Sequence, residues 1–366
     1  MTSTNSEKLP LLNPIRQRWL PIIFFVLGFV FDAFILRRPD ELVIIVHQAI
    51  YLLLSAGLVA IELVEQQEEV PPPRLLTRVW RFREPVLHFL MGTLLNAYTI
   101  FFFKSASALT SFVFIAVLVG ILIINEFKHF GRLQTQFHVG ILSLCLICFL
   151  ANLAPLLWGF IGYLPFISAN VVAVLLMLGY RSLMRRRLTT KPEILRTHIL
   201  WPYLAVQTVF VVLYLARVLP PVPLSASYIG IFHNVQKIDG GGYQLTYTRP
   251  DNFFWQNGDE SFLARPGDSI YCFVRIFAPS RFKDELQIRW FYDDPKLGWQ
   301  ASDAIALPIV GGRDEGFRGY TRKNNYQPGR WRVQVETKDN REIGRITFRV
   351  EADSSLEPRI EKFLID

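Results

Sequence analysis

The pair Cys145-Leu146-Ile147-Cys148 has the CxxC spacing that redox and zinc sites use. It falls in a leucine-rich stretch with no further Cys or His pair to complete a site. The expectation is two packed thiols, with no metal and no cofactor. Ionisable groups inside apolar stretches are functional candidates by default, because charge is expensive in hydrocarbon. Asp32 and His47 are such a pair, each about one turn inside the end of consecutive apolar stretches, with Arg37 and Arg38 between them. They read either as a proton- or ion-coupled site or as a salt-bridged cluster pinning a hairpin. The second reading is preferred, since both side chains can reach head groups. Glu62 and His88 read the same way, and Asn96, Asn152, Asn170 and Gln207 lie deeper, as amides that join helices.

Past Pro220 the reactive types change. Arg275, Arg289, Arg318, Arg332 and Arg349 are interleaved with Phe273, Phe277, Phe291 and Tyr320, and Trp299 follows an Asp-Asp-Pro turn. Guanidinium forks suit phosphate or carboxylate, and flat rings suit sugars. The binding candidates are therefore Arg275, Arg289, Trp299, Arg318 and Arg332, against the plainer reading of a solvated sheet face. His233 is the only histidine of this half. There is no GxxxxGK[ST], GxGxxG, GxSxG or HExxH motif, so no catalytic residue and no enzymatic activity are expected.

These residues need elements to position them. Of 366 residues, 51% are apolar and only 19% charged, below the roughly 25% of soluble proteins. Residues 1–220 hold 19 Lys+Arg against 11 Asp+Glu; residues 221–366 hold 20 of each. The basic excess thus belongs to the apolar half and flanks membrane segments, which argues against nucleic acid as a partner. Seven stretches approach the roughly 20 residues a bilayer helix requires: Trp19–Leu36, Leu42–Val64, Pro85–Phe103, Ala106–Asn125, Phe137–Leu157, Phe160–Tyr180 and Ile199–Leu219. The fifth and sixth, separated by Trp158-Gly159, form either a tight hairpin or a re-entrant element. Loop Lys and Arg divide 15 to 4 between the two sides, which puts the N-terminus in the cytoplasm and everything after Leu219 outside it.

The expected organisation is a cytoplasmic tail (1–18), a seven-span domain (19–219), a Pro-rich linker (220–226), an extracytoplasmic domain (227–352) and a C-terminal tail (353–366). In the outer domain the hydrophobic period is two. Trp331, Val333 and Val335 alternate with Arg332, Gln334 and Glu336; Ile346, Phe348 and Val350 alternate with Thr347 and Arg349. Asp268–Ala278 and Glu285–Asp293 alternate likewise, and Tyr228–Gln236, Tyr243–Thr248, Ala304–Ile309 and Phe317–Thr321 are weaker strands. About eight short strands with Gly/Asp/Asn turns predict an antiparallel β-sandwich. One cysteine, Cys272, excludes an intersheet disulfide within it.

The order Tyr271-Cys272-Phe273, Arg289-Trp290-Phe291-Tyr292, Phe317-Arg318-Gly319-Tyr320-Thr321, Gly329-Arg330-Trp331-Arg332-Val333, Phe348-Arg349-Val350 resembles the bacterial domain of unknown function 2914 over roughly residues 225–352. The resemblance implies a bacterial multi-pass membrane protein with a C-terminal β domain, and no activity. A His often precedes the Arg-Trp pair in that family; here the position is Ile288. The resulting expectation is a non-enzymatic protein of the bacterial inner membrane and cell envelope. Its periplasmic β-sandwich would bind an anionic lipid head group, an envelope glycan or an envelope protein. A transporter or channel with an accessory β domain, and an intramembrane enzyme acting on lipid-linked substrates, are the alternatives.

Overall fold

An uncharged apolar stretch satisfies its backbone in hydrocarbon by becoming a helix. The computed structural model describes residues 38–65, 82–107, 109–127, 133–187, 192–250, 253, 255–312, 316–355 and 357–366. It has six such helices, α1 (Leu42–Glu65), α2 (Arg83–Lys104), α3 (Leu109–Phe127), α4 (Gln134–Trp158), α5 (Tyr163–Arg187) and α6 (Trp201–Leu215), the last preceded by a π-helical stretch Leu195–Leu200. Five of them, α3 excepted, are long and apolar enough to cross a membrane; the apolar part of α3, Ser111–Asn125, is shorter. The expectation of seven spans is thus corrected to six helices here, and Trp19–Leu36 lies outside the described residues. The fifth and sixth stretches are two full helices. Gly159, at φ +78, ends α4 in the left-handed conformation that glycine tolerates, and its N–H bonds the Pro155 carbonyl.

α2 and α4 are the central helices, with 67% and 61% of their apolar windows buried against 22% for α1, α5 and α6. The helices alternate in direction between two ends of the bundle. At one end, Ser107 in the α2–α3 turn donates to Glu342 of the β domain, and Lys283 N donates to the Gly159 carbonyl between α4 and α5. At the other end His88 of α2 and Asn125 of α3 bond each other reciprocally, ring to carbonyl and amide to carbonyl. α3 therefore runs the depth of the bundle beside α2.

Eleven strands follow: β1 (Ser225–Phe232), β2 (Asn234–Lys237), β3 (Tyr243–Tyr247), β4 (Ser261–Ala264), β5 (Ile270–Phe277), β6 (Lys283–Asp294), β7 (Gly298–Val310), β8 (Phe317–Lys323), β9 (Gly329–Glu336), β10 (Glu342–Ala352) and β11 (Lys362–Ile365). They form three sheets, ordered β1-β5-β8, β4-β10-β9-β6-β7 and β11-β3-β2. All pairings are antiparallel except β4 with β10, so the sheets are antiparallel and mixed. One buried cluster draws Ile231, Cys272 and Val274 from the first sheet, and Ile288, Trp290, Trp331, Val333 and Phe348 from the second. These are the inward positions that period-two alternation selects. Cys272 is a free, buried thiol.

Two features depart from the sequence expectation. β11 lies in the segment expected to be a tail, and pairs with β3. Its small sheet covers the other face of β5, where Phe273 is fully buried with Phe232, Val235 and Leu245. The chain reaches β11 through a strap held by ion pairs: Arg265 to Asp353 at 2.6 Å and Arg359 to Asp268 at 2.7 Å. Partial burial pushes the Asp268 carboxyl up. The Arg359 hydrogen bond, the Arg265 N–H and the Arg359 charge outweigh it and hold the group below the usual carboxylate value.

Trp331→Ala should cost about 3–5 kcal/mol in unfolding of the detergent-solubilised protein, through loss of a buried indole; Thr347→Ala, exposed on the next strand, should stay within about 0.5 kcal/mol. A depressed carboxylate stabilises above its unfolded pKa and loses that contribution as pH falls through the folded one. Limited proteolysis of residues 353–361 should therefore accelerate below about pH 4, and Arg359→Gln should remove most of that acid-side dependence.

Candidate functional site

The large sheet has a second face. With Trp290, Tyr292, Trp331, Val333 and Phe348 turned inward, β6 must turn Arg289, Phe291 and Asp293 outward. β9 turns out Arg330, Arg332, Gln334 and Glu336, and β10 turns out Arg345, Thr347 and Arg349. The register sets Arg332 opposite Phe291 on one side and Thr347 on the other, and Trp299 of β7 opposite Asp293. Five arginines thus share one face. Four have a carboxylate: Arg289 with Glu336 (3.2 Å), Arg330 with Asp293 (3.4 Å), Arg345 with Glu342, and Arg349 with Glu351 (3.1 Å).

Arg332 is different. Its guanidinium lies 4.4 Å from the Trp299 ring centroid and 4.9 Å from that of Phe291. It has no carboxylate partner among the described residues, and its Nε is buried without a hydrogen bond. Burial, and then the neighbouring Arg345 charge, lower its pKa from the ordinary arginine value; arginine stays charged nonetheless. Ring faces stabilise a cation without neutralising it. What remains is a half-buried positive charge, fixed in place, with hydrogen-bonding capacity left over. Such a centre can accept one anionic group in a set geometry.

Residues 283–350 match the model of a family described as "Protein of unknown function (DUF2914)", a shorter stretch than the resemblance over 225–352. No curated protein matches. Among solved structures, a β-glucosidase from Kluyveromyces marxianus is 11% identical at a TM-score of 0.18. That similarity takes in 37% of this chain and 15% of the glucosidase, so the chain spans well under two thirds of that relative. Pseudomonas fluorescens alkylpurine DNA glycosylase AlkC, bound to DNA containing an abasic site analog, is 11% identical at a TM-score of 0.19, over 86% of this chain and 99% of that one.

The matched segment contains the five arginines of the Arg332 face, and the structure gathers Arg289, Trp299 and Arg332 there. Arg275 and Arg318 lie elsewhere, opposite each other on β5 and β8. Both are held by the Asp366 carboxylate, at 2.8 and 2.9 Å, so they brace the β11 sheet. Ile288, the position before the Arg-Trp pair, is fully buried among core residues. His233 contacts Asp259 at 2.7 Å and the Leu263 carbonyl at 3.3 Å. With both ring nitrogens engaged it ties strands together. Sequence alternation missed Lys323, which is buried between the Trp290 and Trp331 rings and bonds Ser302, Asp303 and Asn325. A bulge between Trp290 and Phe291 brings Ser302 and Asp303 within reach; no sequence signal marks it.

Within the bundle, His47 is exposed, with its ring 4.0 Å from that of Tyr51, and Asp32 lies outside the described residues. Cys145 and Cys148 are fully buried, free thiols. No group of His, Cys, Asp and Glu among the described residues is arranged to hold a metal. The polar contact that does form joins three helices. Glu62 of α1 accepts from Thr135 at 2.6 Å and meets His138 Nδ1 at 2.7 Å, both on α4, and the His88 ring of α2 stands edge-on to His138 at 5.2 Å. Glu62 and His88 were visible as polar interruptions near helix ends. His138 had no such prominence, since its partner is 76 residues away.

Because Glu62 and His138 share one interaction, Glu62→Gln and His138→Asn should each lower the thermal stability of the detergent-solubilised protein. The double variant should lose less than the sum by about 1 kcal/mol; additive losses would mean the contact carries no energy.

Proposed function

We propose that this is a non-enzymatic protein of the bacterial inner membrane, part of the cell envelope. Its membrane-spanning helices would anchor a periplasmic β-sandwich whose outer face binds an acidic glycan. The observation that carries this reading is Arg332: a fixed cation between two aromatic rings, with no carboxylate of its own among the described residues. A carboxylated or phosphorylated sugar supplies both complements, an anion for the guanidinium and an apolar ring face for the indole edge. The four arginines around it are each paired with a carboxylate, so among the described arginines of this face the unpaired charge is that of Arg332.

The orientation rests on the 15-to-4 division of loop cations. Among described residues Arg83, Arg185, Arg186 and Arg196 belong to the end of the bundle opposite the β domain, the pattern of a cytoplasmic side. The shared core of the first two sheets supports a sandwich. A second reading, a proton-coupled transporter, is favoured by the Glu62–His138 contact. It would require transport or pH-linked phenotypes to disappear in Glu62→Gln while glycan binding persists.

The test is binding of the detergent-solubilised full-length protein to acidic polysaccharides, with neutral ones for comparison. Arg332→Gln should weaken acidic-glycan binding about tenfold or more, the worth of a charge-assisted hydrogen bond. Trp299→Ala should weaken it too, and Arg322→Gln, an exposed arginine of the β5–β8 sheet, should leave it unchanged. Binding to anionic vesicles in place of glycans would assign the face to lipid head groups, and unaltered binding by Arg332→Gln would remove the reading.

A further inference from the structure

α5 and α6 are joined only loosely. Near their β-domain end the Phe166 and Tyr214 rings stack at 3.4 Å, and deeper the Gln207 amide donates to Asn170. Along these ties and past both of them runs a groove of about 490 Å³, walled by Tyr163, Ile167, Val171, Leu175, Val211 and Leu215. Ile167, Val171, Leu175 and Leu215 are all half or more exposed, so the groove opens away from the bundle, onto the surface that hydrocarbon covers.

Its depth limits what fills it. From Tyr163 to Leu175 a helix advances about 18 Å, close to half of a hydrocarbon core of about 30 Å. The groove therefore occupies the leaflet on the β-domain side and stops near the bilayer midplane. A transmembrane helix from a partner would use the full depth of the pair. It would also find the Asn170–Gln207 amide bond already satisfied between α5 and α6. A single acyl chain matches both the length and the apolar walls.

The mouth is basic. Arg217, two residues past Leu215, is exposed, as are Arg281 and Lys283. Arg281 and Lys283 touch the turn before α5: the Arg281 carbonyl lies 3.0 Å from where a Cβ on Gly159 would stand, and Lys283 N bonds the Gly159 carbonyl. None of the three has an ion pair with a described residue. Trp158, Phe160 and Tyr163 lie at the same level, where aromatic side chains mark the head-group zone. An exposed cation, Arg217, at the end of an apolar leaflet-deep groove is complementary to a phosphate above an acyl chain.

We propose that the α5–α6 groove is a binding site for one anionic phospholipid, with an acyl chain between Val171 and Val211 and the phosphate at Arg217. The site is separate from the Arg332 face, and neither depends on the other.

The test uses the full-length protein released from nanodiscs holding equal phosphatidylglycerol and phosphatidylcholine, with retained lipid counted by native mass spectrometry. The wild-type protein should retain one lipid beyond its background, with phosphatidylglycerol preferred. Val171→Trp, which fills the groove from a lipid-facing position, should lose that lipid at an unchanged melting temperature. Arg217→Gln should keep a lipid and lose about fivefold of the phosphatidylglycerol preference, the worth of one basic residue at an anionic surface. Equal retention by Val171→Trp would overturn the site. So would disulfide cross-linking of two copies through Leu175→Cys, which would put protein where the lipid belongs.

Discussion

The β domain stands on the bundle through one buried cation. Arg341, in the turn between β9 and β10, lies 3.6 Å from the Tyr214 ring centroid at the end of α6 and donates to the Tyr214 carbonyl at 3.0 Å. Asp339 closes the arrangement at 2.6 Å, so the charge is neutralised where water is excluded. The Tyr214 carbonyl, in the last turn of α6, also accepts from the Arg217 N–H at 3.0 Å. Arg341 adds a second donor there and docks β9–β10 in the same contact. Lys283 on the Gly159 carbonyl, Ser107 on Glu342, and Ser280 N on the Asp40 carboxylate at 3.2 Å extend the junction across the bundle.

From that junction the strands that reach the bundle are also the ones that carry the arginine face. β6, β9 and β10 begin or turn at the helix ends and run outward. Their inward side chains build the core, and their outward ones hold Arg332. The same alternation that buries Trp331 therefore exposes Arg330 and Arg332. The buried lysine, Lys323, stiffens this layer from beneath, bonding β7 oxygens while two indoles flank it. Phe291 and Trp299 are held by this layer, so the two rings flank Arg332 as part of the fold itself.

Much of this was legible. Hydropathy located five of the helices closely, because a bilayer segment has to be apolar over its whole length. Strict alternation located β5, β6, β9 and β10 and their inner faces. What failed has a common physical cause: it depended on partners remote in sequence. Phe273 looked like an outward residue because period two has only two faces, and nothing local shows that a third sheet covers the second one. Arg275 and Arg318 were equivalent to Arg332 by residue type; only the arrival of Asp366 distinguishes them. β11 is four residues long and its neighbourhood reads as a polar tail. His138 became notable only when α1 set Glu62 against it. The span count erred where length was the criterion, at α3, whose apolar stretch is the shortest of the six.

Strand order also constrains assembly in time. β1 pairs with β5, β4 waits for β10, and β3 acquires its second neighbour only from β11. β3 and β11 are more than a hundred residues apart in sequence, and such closures are slow because loop entropy is lost before any contact repays it. Phe273 is covered by β2 and β3, which come before it in the chain, but until residues 362–366 arrive Arg275 and Arg318 lack the Asp366 carboxylate that holds both. The domain must therefore pass through a stage in which two like charges face each other across β5 and β8, and the carboxylate beyond β11 is what neutralises them.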